Sequence, residues 1–302
     1  MAEPKMSLVD KIRARLNENS GEAGEIAKSY SETDDLMQVK SWITLKPFFK
    51  LGTGGDGFPC GHITQVVGEP DSGKTTLVME GMVACQKAGG VVYLIDSEHK
   101  FSLQRLTLMG GVPKDVVFLR VESLEEAWTN IDFVLKEVTT LREEGINAPM
   151  MLVWDSVAAS VPESIMDSDA GDAHVAVEAK LNNKNVRRLR QAIKKTDLAC
   201  VFINHFYMTQ PKNRYEQSKM IIKGGEELSF MSTLILLTQK GAKIERTVKG
   251  EDQKLGRYTR YTVHKGHFHG RTIVKEVAVV DVGIMESEED LNNYKKTLRG
   301  EI

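Results

Sequence analysis

Between Gly68 and Thr75 the chain reads GEPDSGKT, two glycines five positions apart with a lysine and a hydroxyl residue directly after the second. Glycines at that spacing let a backbone wrap a phosphate with its N–H groups turned inward, and a helix starting there adds the positive end of its dipole. Gly68, Glu69, Pro70, Asp71, Ser72 and Gly73 then form the cradle. Lys74 balances the outer phosphates and Thr75, followed by Thr76, offers its hydroxyl to Mg2+. A glycine-rich turn can show the same letters. The β-rich HITQVV before the loop and the helical periodicity of TTLVMEGMVACQKA after it favour the nucleotide reading.

A nucleotide site needs a second oxygen ligand for the metal, and MLVWDSV supplies one. Its apolar run makes a buried strand, and Asp155 stands at the C-terminal end, where α/β sheets bind ligands. Activating water needs a group near the terminal phosphate, and VVYLIDSEHK ends a strand with Asp96, Glu98 and His99. A carboxylate at such a tip can act as general base.

These residues require a frame of alternating strands and helices. From His62 onward strands in HITQVV, VVYLID, VVFLR, PMMLVWDSV and LACVFINH alternate with helical segments, one running from Ser123 to Glu144 behind a capping box of Ser123 and Glu126 and another over 173–196. That pattern predicts an α/β fold with a mainly parallel sheet and helices on both faces. TLILLT, RYTRYTV and TIVKEVAVVDV follow with short loops and predict antiparallel strands extending the sheet. SLVDKIRARLN is an amphipathic helix with a polar linker behind it, too short to fold alone, so Leu8, Val9, Ile12 and Leu16 need a surface in this chain or in the next copy.

The 302 residues, 41% of them hydrophobic, suffice for one large domain with small appendages. The net charge of −2 excludes an overall basic field, so any nucleic-acid contact must be local. Cys60, Cys85 and Cys200 are odd in number and widely spaced, which argues against a disulfide framework or zinc site and for buried thiols in a reducing cytoplasm. The N-terminus has no apolar signal core, and runs such as VVYLI and LILL are too short to span a membrane.

Taken in order, GEPDSGKTTL, YLIDSEH, LVWDSVAAS, GDAH and VFINH resemble the RecA family of DNA recombinases over about Ile43 to Ile284. INHFYMTQ and IIKGGEELSF are closer in pattern to the phage UvsX type than to the bacterial protein. The resemblance implies a RecA-like P-loop ATPase core that binds ATP and Mg2+ between protomers. It implies a helical filament on single-stranded DNA, DNA-dependent ATP hydrolysis, pairing with homologous duplex DNA and strand exchange. Accessory loaders or single-strand-binding proteins would be partners, and the compartment would be the bacterial host cytoplasm if the chain is phage-encoded. Three regions follow: an N-terminal helix and linker over 1–40 for protomer contact, a core over 41–285, and a short tail over 286–302. The bacterial C-terminal domain is expected to be missing, since the chain ends soon after the final strand.

Carried onto this sequence, the resemblance selects Glu98 as the catalytic glutamate and Asp155 as the Mg2+ carboxylate. The first DNA loop matches Val161 to His174, with Met166, His174 and the adjoining Val175 as contacts. The second matches Phe206 to Gly225 and offers Phe206, Tyr207, Met208, Lys212, Arg214, Lys219, Lys223, Gly224 and Gly225. That stretch is too long for a simple connection, and its mixture of cations and aromatics suits phosphate tracking and base stacking; a disordered surface loop is the alternative. The helix between the loops carries Arg187 and Arg188 among many cations. Such a helix is more often a solvated face; its position between the two loops leaves DNA contact and a solvated face equally open.

The family's adenine-covering aromatic is replaced by Arg105, whose guanidinium plane can stack on a base. Lys265, with His264 or His267, is the expected phosphate contact across the protomer interface; the His264, His267 and His269 pattern lacks the cysteines or carboxylates of a metal site. His205, where a buried strand opens into the second loop, is either a sensor of the γ-phosphate or a structural cap. Trp42, Trp128 and Trp154 read as packing. A ring-forming DNA motor of related core and a regulatory ATPase without a DNA role share the nucleotide motifs.

Overall fold

The computed structural model describes residues 7–19, 39–166, 173–211, 213, 217–248, 251–268 and 274–299. The chain divides into two units, Met1–Lys40 and Ser41–Ile302. In the first, α1 (Leu8–Glu18) begins at Ser7, whose hydroxyl accepts from the Asp10 amide at 3.1 Å. Leu8, Val9, Ile12 and Leu16 are all exposed on it.

The second unit runs β1 (Trp42–Thr44), α2 (Pro47–Thr53), β2 (Gly57–Pro59), β3 (Ile63–Gly68), α3 (Lys74–Lys87), β4 (Val91–Asp96), α4 (Leu103–Leu108), β5 (Val116–Leu119), α5 (Leu124–Glu143), β6 (Met150–Asp155), α6 (Glu163–Met166) and α7 (Ala173–Thr196). It continues through β7 (Leu198–Asn204), β8 (Phe206–Met208), β9 (Met220–Ile222), α8 (Glu226–Met231), β10 (Leu234–Val248), β11 (Glu251–Gly266), β12 (Val274–Val280), β13 (Gly283–Met285) and α9 (Glu288–Thr297). Among these residues the main sheet has the order β13-β12-β11-β10-β3-β7-β6-β4-β5. From β10 to β5 neighbours are parallel, and from β10 to β13 antiparallel.

The expected antiparallel extension therefore starts one strand later than the pattern suggested. TLILLT lies parallel to β3, because it returns to the sheet from β7 by a long connection through β8, β9 and α8 rather than by a hairpin. Only then does it turn into a hairpin with β11, with register shifts near Ile235, Lys240 and Ile244. The expected capping box at α5 is half made. Ser123 accepts from the Glu126 amide at 3.1 Å, but Glu126 accepts from Glu122, one residue before the cap.

Strand side chains alternate between two cores. Met151, Val153, Val92, Leu94, Val201 and Ile203 pack with α3, while Leu152, Trp154, Tyr93, Ile95, Cys200 and Phe202 pack with α5 and α7. With a period of two, Asp96, Asp155 and His205 continue the α3 rows past the last apolar residue. The three polar groups thus emerge on the face that carries the glycine loop. All three cysteines are buried, and desolvation pushes the thiols of Cys60 and Cys85 up to about 11 and about 12. Among the described residues no helix is long and apolar enough to cross a membrane.

Candidate functional site

The glycine loop joins β3 to α3 with backbone that only particular residues tolerate. Gly73, at φ 87°, is the N-cap of α3, and its carbonyl accepts from the Tyr261 hydroxyl at 3.0 Å. Gly68 passes so close to β10 that a Cβ there would lie 2.1 Å from Thr238 Oγ1. Ser72 donates to Glu69 O at 2.7 Å and also bonds Thr238. Lys74 is 6% exposed, and its Nζ donates to Gly68 O at 3.0 Å and Glu69 O at 2.8 Å.

Across the loop, the Thr75 hydroxyl donates to Asp155 Oδ2 at 3.2 Å. Glu98 sits on a turn fixed at both ends: the Ser97 amide donates to Asp155 O at 2.8 Å and the Phe101 amide to Asp96 Oδ2 at 2.9 Å. Asp96 is thereby occupied as a turn former. Glu98 Oε1 accepts from Ser156 Oγ at 2.7 Å and lies 3.4 Å from His205 Nε2, while Oε2 lies 3.7 Å from Lys100. His205 Nδ1 stands 3.1 Å from Gly68 O.

These contacts set the charges. Burial pushes the Asp155 carboxyl up to about 6, with the Glu98 charge adding to it against the Thr75 bond. Burial pulls the Lys74 ammonium down to about 8 despite the attraction of Asp155 and Glu98. Burial alone would raise Glu98, but the bonds from Ser156 and His205 outweigh it and hold the carboxyl below its usual value. His205 is lowered by burial and then by the Lys74 charge.

One cavity of about 570 Å3 gathers Pro70, Asp71, Lys74, Thr75, Glu98, Asp155 and His205, with Lys100 and Lys223 at its wall. A second cleft of about 330 Å3 shares Asp71 and extends past Gly73 and Thr76 to Arg105, Leu255, Val280 and Asp281. Arg105 donates from Nη2 to Val280 O at 3.0 Å. Phosphates wrapped on the loop would therefore have the carboxylates at one end and Arg105 at the other.

The candidate nucleic-acid contacts are less gathered. Phe206, Tyr207 and Met208 are strand β8, paired with β9, so the ends of the second stretch form a hairpin rather than open loop. Gly224 and Gly225 close it at φ 89° and 94°. The Lys223 amide donates to His205 O at 2.9 Å, and Lys219 pairs by backbone with Thr209. Lys212 and Arg214 lie outside the described residues, as do the side chains of Met166, His174 and Val175. Arg187 is bidentate to Glu227 at 2.8 and 3.0 Å, and Arg188 reaches Asp132 on α5 at 3.0 Å. Lys265 is not on the Lys74 cavity; it donates to Ser229 O and Phe230 O and lies 5.6 Å over the exposed Phe230 ring, beside His264.

Sequence reasoning missed Ser156, Lys100, Tyr261 and Thr238. Ser156 had a signal in its place directly after Asp155. Tyr261 and Thr238 had none, because their contact with the loop depends on the register of strands far along the chain.

The RecA N-terminal domain family model matches residues 16–283. Protein RecA of Chlorobaculum parvum is 32% identical over 230 residues, 76% of this chain, and the chain spans 62% of that relative's length. The sheet with its parallel centre and antiparallel extension is consistent with a RecA-like core, and the chain belongs to the RecA family.

Proposed function

We propose that this chain is an ATP-dependent DNA recombinase of the phage UvsX pattern, which assembles as a filament on single-stranded DNA, pairs it with a homologous duplex and exchanges strands. The observation that carries this reading is the single cavity lined by Lys74, Thr75, Glu98, Asp155, His205 and Lys223, drawn from distant parts of the sequence. The Thr75 hydroxyl and Asp155 carboxylate are hard oxygen donors already in contact, and they would hold Mg2+. When bound, the ion neutralises phosphate charge. Lys74 holds the outer phosphates, and Arg105 provides the platform for the base in the second cleft.

Glu98 Oε1 accepts from Ser156 at 2.7 Å, which leaves Oε2 to take the proton of the attacking water. Neutral His205 carries one N–H and faces two acceptors, Gly68 O and Glu98 Oε1, so it satisfies one at a time. A γ-phosphate beside Glu98 changes which one wins. His205 is the residue between β7 and β8, and that choice passes directly to the hairpin bearing Tyr207, Met208 and Lys223. The apolar stripe of α1 docks on a second copy of the chain.

Electron microscopy of the protein with single-stranded DNA and a non-hydrolysable ATP analogue tests the proposal. Helical filaments that need both ligands support it. Closed hexameric rings would replace recombinase by ring motor, and hydrolysis indifferent to single-stranded DNA would point to an ATPase without a DNA role.

A further inference from the structure

The second cleft has a support that the phosphate chemistry does not use. Its wall residue Val280 belongs to a small satellite core with Ile244, Ala278 and Leu291, against which the wall residue Leu255 packs together with Tyr258, Val282 and Tyr294. Leu291 and Tyr294 come from α9, which starts in a complete capping box between Ser287 and Asp290. Polar bonds pin the same helix to the cleft. The Tyr294 hydroxyl donates to Asp281 Oδ1 at 2.6 Å, the Val282 amide donates to the same oxygen at 2.8 Å, and Tyr258 donates to Glu288 at 2.9 Å. Asp281 is itself a wall residue of the cleft, one position after the carbonyl that receives Arg105. Arg105 Nε is buried without a hydrogen-bond partner among the described residues, so the hold on the guanidinium comes from its Nη2 bond to Val280 O.

We infer that α9 is a positioning element for the nucleobase, with Tyr294 setting Asp281 and, through the β12–β13 turn, the Arg105 guanidinium on which the base rests. The inference depends on the nucleotide reading of the loop. Arg105 has several rotatable bonds, and a side chain of that kind makes a useful platform only if its plane is fixed beforehand. Val280 O fixes one end of the guanidinium, and the charge of Asp281 draws it to the same wall. A change at Tyr294, which bonds Asp281 and packs in the satellite core, therefore alters base recognition and leaves triphosphate recognition alone.

The test compares binding of MgATP and of Mg-tripolyphosphate, which lacks ribose and base, in the full chain. Tyr294→Phe is expected to weaken ATP about three- to tenfold, the size expected for one charge-assisted bond near the surface, with tripolyphosphate affinity and saturated kcat unchanged. Asp281→Asn, which keeps an acceptor for Tyr294 but loses the charge, should likewise weaken ATP and not tripolyphosphate, and serves if Tyr294→Phe does not fold. In an Arg105→Ala background the effect of Tyr294→Phe should vanish, which a purely structural role would not produce. Equal weakening of both ligands, no weakening of ATP, or an effect that persists without Arg105 overturns the inference. Failure of the nucleotide reading looks different: Lys74→Ala would then leave both ligands bound.

Discussion

Lys74 and Lys223 line the same cavity and are held in opposite ways. Lys74 is buried, with its ammonium fixed by two carbonyls of the loop it serves. Lys223 has an exposed side chain, and its backbone is what is held, the amide by His205 O and the carbonyl by Asn204 Nδ2 at 2.8 Å. On the nucleotide side the side-chain entropy is already lost in folding. On the hairpin side it is still to be lost when a ligand binds. For the proposed function, the first arrangement favours rate and geometry, and the second favours tolerance of any DNA sequence.

The largest break in this contrast is Lys74→Ala. Removing a buried cation that balances phosphate charge should lower ATP affinity on the order of a thousandfold and abolish ATP-dependent DNA binding, measured by filter retention with and without ATP. Full strand exchange by this variant would remove the loop from the mechanism. Glu98→Gln comes next: the amide keeps the bond from Ser156 but cannot take a proton, so kcat should fall about a hundredfold or more while ATP binding stays and DNA complexes live longer. Normal turnover would exclude Glu98 as base.

His205→Ala addresses the junction between the two regions. ATP binding should remain nearly normal, while the rise in DNA affinity on adding ATP, typically about tenfold or more in coupled systems, should drop to none. An unchanged rise would make His205 a strand cap only. The smallest effect is in pH. Asp155, raised to about 6, and Lys74, lowered to about 8, are both charged only between those values, so MgATP affinity should peak there and decline on either side. Stability of the ligand-free protein runs oppositely for Asp155. Its protonated form suits the buried site, so that contribution is lost as pH rises through about 6. An affinity profile flat from pH 5 to 9 would contradict the assignment.

The buried side was readable from sequence because its rules are local. Glycine spacing gives the loop, and counting by twos from Val153 to Asp155 and from Ile203 to His205 gives the face. The other side depends on partners far along the chain. Arg187 and Arg188 showed their charge but not Glu227 and Asp132, which neutralise them, and Lys265 gave no sign that the carbonyls at the end of α8 would hold it. The β8–β9 hairpin was hidden for a related reason: its two strands are three residues each and separated by a polar stretch, so no alternation is long enough to register.

Trp154 gives the site an optical reporter. It is the residue before Asp155, fully buried, and its indole N–H is shared between Ser97 Oγ at 3.0 Å and Ser160 Oγ at 3.1 Å. Ser97 adjoins Glu98, so any shift of that turn disturbs the polar contact that sets the wavelength at which the indole emits. Trp128 stands edge-on at 5.3 Å, near enough to exchange excitation, and the third tryptophan, Trp42, packs instead against Phe268. Replacing Trp42 by phenylalanine would leave one coupled pair of chromophores beside the carboxylates, and intrinsic fluorescence would then report movement of the Glu98 turn without a label.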